Sequence, residues 1–126
     1  MQIWCLARAV SEPLDGEGAR LYGGRWNREG TALVYTSDHL SLSVLEQLVH
    51  LSPEDAPDDL TAFEIEVPED LLVESVDVAD LPEDWDHVAD HPACQQIGEL
   101  WVQKDSSPVL EVPSAVLPIE KNYLIN

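Results

Sequence analysis

The sequence predicts a single α+β domain, and three observations lead there. At 126 residues the chain is long enough for one compact core and short for two. Its apolar positions change period along the chain, alternating in some segments and recurring every three to four residues in others. The two kinds of segment follow no regular strand–helix–strand order, so mixed packing is expected rather than a doubly wound parallel sheet.

From the N-terminus, Gln2 to Ala7 reads as a short strand closed by Arg8. A glycine-rich loop follows from Ser11 through Gly30, broken by Gly16, Gly18, Gly23 and Gly24. Ala32 to Thr36 is apolar and β-prone. Ser37 or Asp38 is placed to cap a helix from about His39 to Leu51, where Leu42, Leu45 and Val49 recur at helical spacing. Leu40, Val44, Leu48 and Leu51 widen that stripe, and Ser52-Pro53 stops the helix. Thr61 to Val67 alternates strictly, with Phe63, Ile65 and Val67 on one face and Glu64 and Glu66 on the other. Leu71 to Val78 reads as another strand, ended by Leu81-Pro82. A helix from about Ala93 to Gln103 is expected to bury Ile97, Leu100 and Trp101. Val109–Val112 and Tyr123–Ile125 are short late strands.

Charge narrows the function classes. With 25 Asp and Glu against 6 Lys and Arg the net charge is −19, which opposes phosphate backbones and anionic lipid. Neither nucleic-acid nor membrane-surface binding is expected, and no apolar run approaches the ~20 residues of a membrane span. Four tryptophans and regularly spaced Leu, Val and Ile speak for a packed core rather than acidic disorder. Met1 to Val10 lacks a basic region followed by an apolar stretch, so no signal peptide is read and a cytoplasmic location is expected. Cys5 and Cys94 stand in no metal or redox spacing and read as small apolar residues.

The positive charge is unevenly placed. Arg8, Arg20, Arg25 and Arg28 fall in the first 28 positions, and no Lys or Arg occurs from Glu29 to Gln103. Forked guanidinium groups among glycines suit an oxyanion, with backbone N–H groups able to approach it. The plainer reading pairs these arginines with surface carboxylates. Ser43, Glu46 and His50 form a polar strip three and four residues apart on the first helix, where Glu46 is either a solvated carboxylate or a partly buried site residue. Ser114, in Val112-Pro113-Ser114-Ala115, reads alone as a turn residue, and lacks the Gly-x-Ser-x-Gly setting of a hydrolase nucleophile. His87 and His91 have helical spacing for a metal, but Pro92 follows and no third ligand is spaced for it, so no metal is expected. The fifteen carboxylates from Glu54 to Asp90 read as a solvated face.

The order of motifs is more specific than any one of them. Gly18-Ala19-Arg20-Leu21-Tyr22-Gly23-Gly24-Arg25-Trp26-Asn27 precedes Val34-Tyr35-Thr36, then Leu42-Ser43-Val44-Leu45-Glu46-Gln47-Leu48-Val49-His50. Gly98-Glu99-Leu100-Trp101, Val112-Pro113-Ser114-Ala115-Val116-Leu117-Pro118 and Glu120-Lys121-Asn122-Tyr123-Leu124-Ile125-Asn126 complete the set. Over residues 1–126 the chain closely resembles the RES-domain toxins of bacterial toxin–antitoxin systems.

That resemblance implies a fold similar to NAD-dependent ADP-ribosyltransferases and a toxin that consumes NAD⁺ as substrate at the nicotinamide–ribose bond. It also implies a cognate helix-turn-helix (Xre-type) antitoxin covering the active site. The family's Arg, Glu and Ser fall on Arg25, Glu46 and Ser114, its cleft aromatic on Tyr35, and a basic position on Arg8. Relatives continue into a further acidic and apolar segment beyond the point where this sequence stops, at Asn126. The chemistry suits these residue types. Arg25 would hold the diphosphate, with Gly23 and Gly24 giving close backbone approach, and Tyr35, with Trp26 or Tyr22 as further candidates, would stack on the nicotinamide ring. Glu46 would face the ribose, where positive charge builds as in glycoside cleavage. Ser114 would hydrogen-bond a phosphate or hydroxyl. Two alternatives stay open: protein ADP-ribosylation by the same cleft, and a non-catalytic acidic module for a basic partner.

Overall fold

The structure, a computed structural model, describes residues 1–10 and 12–126. The Ser11 end of the predicted glycine-rich loop therefore lies outside the described residues. Strands are β1 (Gln2–Arg8), β2 (Val34–Ser37), β3 (Leu60–Glu66), β4 (Val73–Ser75), β5 (Val109–Pro113) and β6 (Lys121–Ile125). Helices are α1 (Glu17–Tyr22), α2 (Leu40–Leu48) and α3 (Pro92–Lys104), with 3₁₀ turns at Pro53–Asp55 and Val78–Asp80. The α+β class is as the sequence predicts.

All six strands form one sheet in the order β3-β1-β2-β6-β5-β4. Every pairing is antiparallel except β4 with β5. The registers place Tyr35, Leu124 and Leu110 on one face, together with Ser37, Asn122 and Val112. On that face the main core gathers Trp26, Leu33, Trp85, Cys94, Trp101, Leu110, Val112 and Leu124. A smaller cluster of Ile3, Val67, Val109 and Tyr123 occupies the other face. Full burial of Leu124 or Val112 contributes about 1.5–3 kcal/mol each. Trp26, Trp85 and Trp101 are buried, as the packed-core reading requires, and so are both cysteines, whose thiols burial pushes up.

Four helical expectations change. The wide leucine–valine stripe is not the inward face of α2, since Val44, Leu48 and Val49 are exposed and the buried residues are Leu42 and Ser43. Hence the polar strip of Ser43 and Glu46 turns toward the sheet. The residue before α2 is His39, without a side-chain cap bond, rather than Ser37 or Asp38, whose side chains are engaged with α2 and β6. In α3, Leu100 is exposed, whereas Cys94, Gly98 and Trp101 are buried. Glycine at 98 is required, because a Cβ there would lie 1.7 Å from the carbonyl oxygen of Trp26. The long glycine-rich loop also contains α1, which glycine content hid from the sequence reading.

Candidate active site

The segment Gly23–Asn27 is irregular, yet it is held on all sides. Asn27 is fully buried, and its amide donates to the carbonyls of Ala19 (2.9 Å), Arg28 (3.0 Å) and Thr31 (3.0 Å). Its Oδ1 accepts from the Tyr35 hydroxyl at 2.6 Å, and the same hydroxyl accepts from the Trp26 N–H at 3.0 Å. Helix α3 completes the clamp. Gln95 Nε2 donates to the carbonyls of Gly24 and Asn27, while Glu99 accepts from the Arg28 N–H and the Thr31 hydroxyl at 2.7 Å each. Burial pushes the Tyr35 phenol well above its ordinary value, so it stays a neutral hydrogen-bonding group.

This clamp delivers Arg25 to a cavity of about 550 Å³, within the range of small-molecule sites. Arg25 Nη1 donates to the carbonyls of Trp85 and Val88, both at 2.9 Å, and its guanidinium lies 5.8 Å from the Trp85 ring centroid. Its Nε and Nη2 carry no protein hydrogen bond among the described residues. Arg8 and Arg20 behave as the plainer reading expects, pairing with Asp59 and Glu17. Arg25 does not: among the described residues it forms no ion pair, in a chain with four acids per base.

Glu46 lies on the same cavity wall system, brought in by α2. Its Oε1 accepts from Ser37 Oγ (3.0 Å) and Asn122 Nδ2 (2.9 Å), and its Oε2 from Ser114 Oγ (3.0 Å). Ser114 is wholly buried, and its hydroxyl also accepts from the N–H groups of Val116 and Leu117 at 3.2 Å. Arg25, Glu46 and Tyr35 therefore share one cavity, with Ser114 behind Glu46 rather than on the lining.

Five expectations need correction. Arg8 lines neither this cavity nor the second one beside α1, because its Nε is spent on Asp59 at 3.0 Å. Trp26 borders the cavity but is only 2% exposed, its ring 6.3 Å from that of Trp85, so it offers no open face for stacking. The N–H groups of Gly23 and Gly24 are bonded to the carbonyls of Ala19 and Asn27 and are not available to an anion. Gly24 is needed for another reason: a Cβ would stand 2.6 Å from the Tyr35 hydroxyl. The Ser114 hydroxyl faces Glu46, not the cavity space that a ligand would occupy. Tyr22, 80% exposed, is also outside the cavity.

The sequence reading missed Ser37 and Asn122 as partners of Glu46, since neither has a motif of its own and only the β2–β6 register makes them neighbours. It also missed that part of the acidic stretch is cavity wall, where Asp86 and His87 line the space together with His50 from the end of α2. His87 and His91 do not act as a pair. His91 caps α3 by accepting from Ala93 N–H through Nδ1, and its Nε2 meets Asp84 at 3.0 Å. Elsewhere, Asp38, His39 and Glu120 bring ligand-type atoms within 4.8 Å of one another.

Known proteins are similar to this chain in sequence and fold. A family model described as RES domain matches residues 2–126. A "Toxin Res" of Photorhabdus laumondii is 36% identical over 120 residues, covering 95% of this chain and 76% of the relative. A "Prs ADP-ribosylating toxin" of Sphingobium is 39% identical over 119 residues, covering 92% and 73%. In the crystal structure of the M. tuberculosis MbcT–MbcA toxin–antitoxin complex, one chain superposes with a TM-score of 0.76 over 98% of this chain and 72% of its own length. At 22% identity that likeness concerns the fold.

Proposed function

We infer the activity from one premise: the chain belongs to the RES-domain family, and it is a toxin of a toxin–antitoxin system. We propose that it is an enzyme that consumes NAD⁺ by breaking the bond between nicotinamide and ribose. The observation that carries this reading is the pairing, in one cavity, of an arginine without a carboxylate partner and a hydrogen-bonded glutamate. The free Nε–Nη2 edge of Arg25 matches the oxygens of a diphosphate bidentately. Glu46 faces the sugar. As the C–N bond breaks, its electron pair leaves with nicotinamide, which departs neutral and needs no general acid. The ribose carbon becomes electron-poor, and the Glu46 carboxylate stabilises that charge. Removing one well-placed electrostatic group of this kind costs about 2.7–4 kcal/mol in barrier. Water then adds at the same carbon and loses a proton, giving ADP-ribose. Phosphate in place of water gives the phosphorylated sugar.

Tyr35 supplies a fixed aromatic wall beside Arg25 for the nicotinamide ring. Ser114 acts from behind, donating to Glu46 rather than attacking the substrate. A protein side chain as acceptor is the second reading, favoured by the 39% identity to the relative named as an ADP-ribosylating toxin. The antitoxin, of Xre-type helix-turn-helix architecture and covering the cavity, is the proposed partner, and the cytoplasm the proposed location. Among the described residues no helix is long and apolar enough to cross a membrane. The test is incubation of purified protein with NAD⁺, with and without phosphate or candidate acceptor proteins, identifying the ribose product. Free nicotinamide should appear with wild type and fall at least 100-fold with Glu46→Ala, about what a loss of 2.7–4 kcal/mol implies. Undiminished release by that variant sinks the reading.

A further inference from the structure

Glu46 sits on a helix, yet what orients its carboxylate comes from three separate pieces of the sheet side. Ser37 ends β2, Asn122 lies in β6, and Ser114 follows β5. Ser37 and Asn122 are cross-strand partners in the β2–β6 ladder, so their side chains leave the sheet side by side toward α2. Asn122 Nδ2 has three acceptors: Thr36 O at 3.1 Å, Ser37 Oγ at 3.0 Å and Glu46 Oε1 at 2.9 Å. Ser37 Oγ in turn donates to Glu46 Oε1 at 3.0 Å. Ser37, Asn122 and Glu46 thus close a triangle in which every distance is a hydrogen bond.

A carboxylate has about four lone-pair sites. Among the described residues Oε1 has both of its sites filled, and Oε2 has one filled by Ser114, which leaves a single open acceptor site on Oε2. We propose that Asn122 is a positioning residue for the reaction, acting through Glu46 by locking Oε1 so that the open site of Oε2 is the one presented to the substrate. This rests on the NAD⁺-cleaving reading above. An unrestrained glutamate has several rotamers, and fixing it costs up to about 2 kcal/mol of side-chain entropy, which two donors on one oxygen offset before substrate arrives. The amide is suited to the task. Leucine at 122 would leave Thr36 O and Ser37 Oγ without this donor and Glu46 Oε1 with one donor instead of two, and aspartate would set a second carboxylate against the first.

The experiment is a double-mutant cycle of Asn122→Ala and Glu46→Gln, read as initial rates of nicotinamide release from NAD⁺. Asn122→Ala is expected to lower kcat roughly 10- to 100-fold, the scale of a misplaced catalytic group, with KM changed less than about threefold. In the Glu46→Gln background the same substitution is expected to change the rate less than about twofold, because its effect passes through that carboxylate. An effect of equal size in both backgrounds, or one confined to KM, overturns the proposal. Should Asn122→Ala fail to give a cooperative melt, Ser37→Ala runs the same cycle, since it removes the other donor on Oε1 and leaves the Thr36 carbonyl paired. If wild type releases no nicotinamide, the substrate reading has failed, and the cycle is then scored on growth arrest in expressing cells. Loss of coupling there overturns the positioning role separately.

Discussion

Gly98→Ala tests how the loop bearing Arg25 is held. An added Cβ would lie 1.7 Å from Trp26 O, half the separation of an ordinary 3.4 Å contact, and 2.8 Å from Trp26 C. Both obstacles are backbone, so no rotamer change relieves them and α3 must retreat from the loop. Overpacking of this kind costs typically 1–3 kcal/mol. The retreat also stretches the bonds from Gln95 to Gly24 and Asn27 and those of Glu99 to Arg28 and Thr31, each worth about 1 kcal/mol when intact. Against this stands the helix-propensity gain of alanine over glycine, about 1 kcal/mol. The net expectation is a loss of roughly 3 kcal/mol, or about 10 °C in melting midpoint for a chain of this size. Gly18, in α1, is the internal control. Nothing lies within 4 Å of a Cβ there, so Gly18→Ala is expected to raise the midpoint by up to about 3 °C. Thermal melting followed by circular dichroism reads both. If Gly98→Ala melts at or above wild type, the close helix–loop contact is not what holds the segment.

Ser114→Ala removes a donor to Glu46 and the acceptor of two part-buried N–H groups, and is expected to cost about 1–2 kcal/mol of stability. Its kcat should fall roughly 10- to 100-fold without vanishing, and a covalent adduct on Ser114 by mass spectrometry would refute the supporting role. Arg25→Ala should weaken NAD⁺ binding by roughly 10- to 100-fold, as loss of charge-assisted bonds implies, and also lower stability by about 1–2 kcal/mol through the lost bonds to Trp85 and Val88. Calorimetric titration beside a melt separates the two effects, and unchanged affinity removes Arg25 from the substrate. The hydrogen bond from His91 holds the Asp84 carboxyl below its ordinary 3.8, so its contribution is present above that value and lost as pH falls through the lowered one. The stability difference between wild type and Asp84→Asn should accordingly shrink on acidification below about pH 4, and a difference that grows instead contradicts the pairing.

The strict alternation from Thr61 to Val67 falls on β3 and the residue after it, with Glu64 and Glu66 outside and Val67 buried, because period-two burial is local and needs no partner to be recognised. The boundaries of α2 and the direction of its inward face were not legible. Its valines and leucines favour burial in isolation, but the sheet surface opposite offers Ser37, Asn122 and Ser114 as hydrogen-bond donors, so the face that docks is the one carrying Ser43 and Glu46. Likewise the glycines of the Gly23-Gly24-Arg25 segment signalled close approach correctly, while the object approached is the Tyr35 hydroxyl instead of a bound anion.

The α+β class and the burial of the tryptophan core could be read from the amino-acid order alone, and so could the candidate residues Arg25 and Glu46, since side-chain hydrophobicity and motif order are properties of single positions and near neighbours. It takes the folded chain to show that Arg25 stands without a carboxylate partner while Arg8 pairs with Asp59, and that Ser37, Asn122 and Ser114 converge on one carboxylate. Those facts depend on strand order and register, which bring together residues up to 85 positions apart, and no local pattern encodes such a meeting.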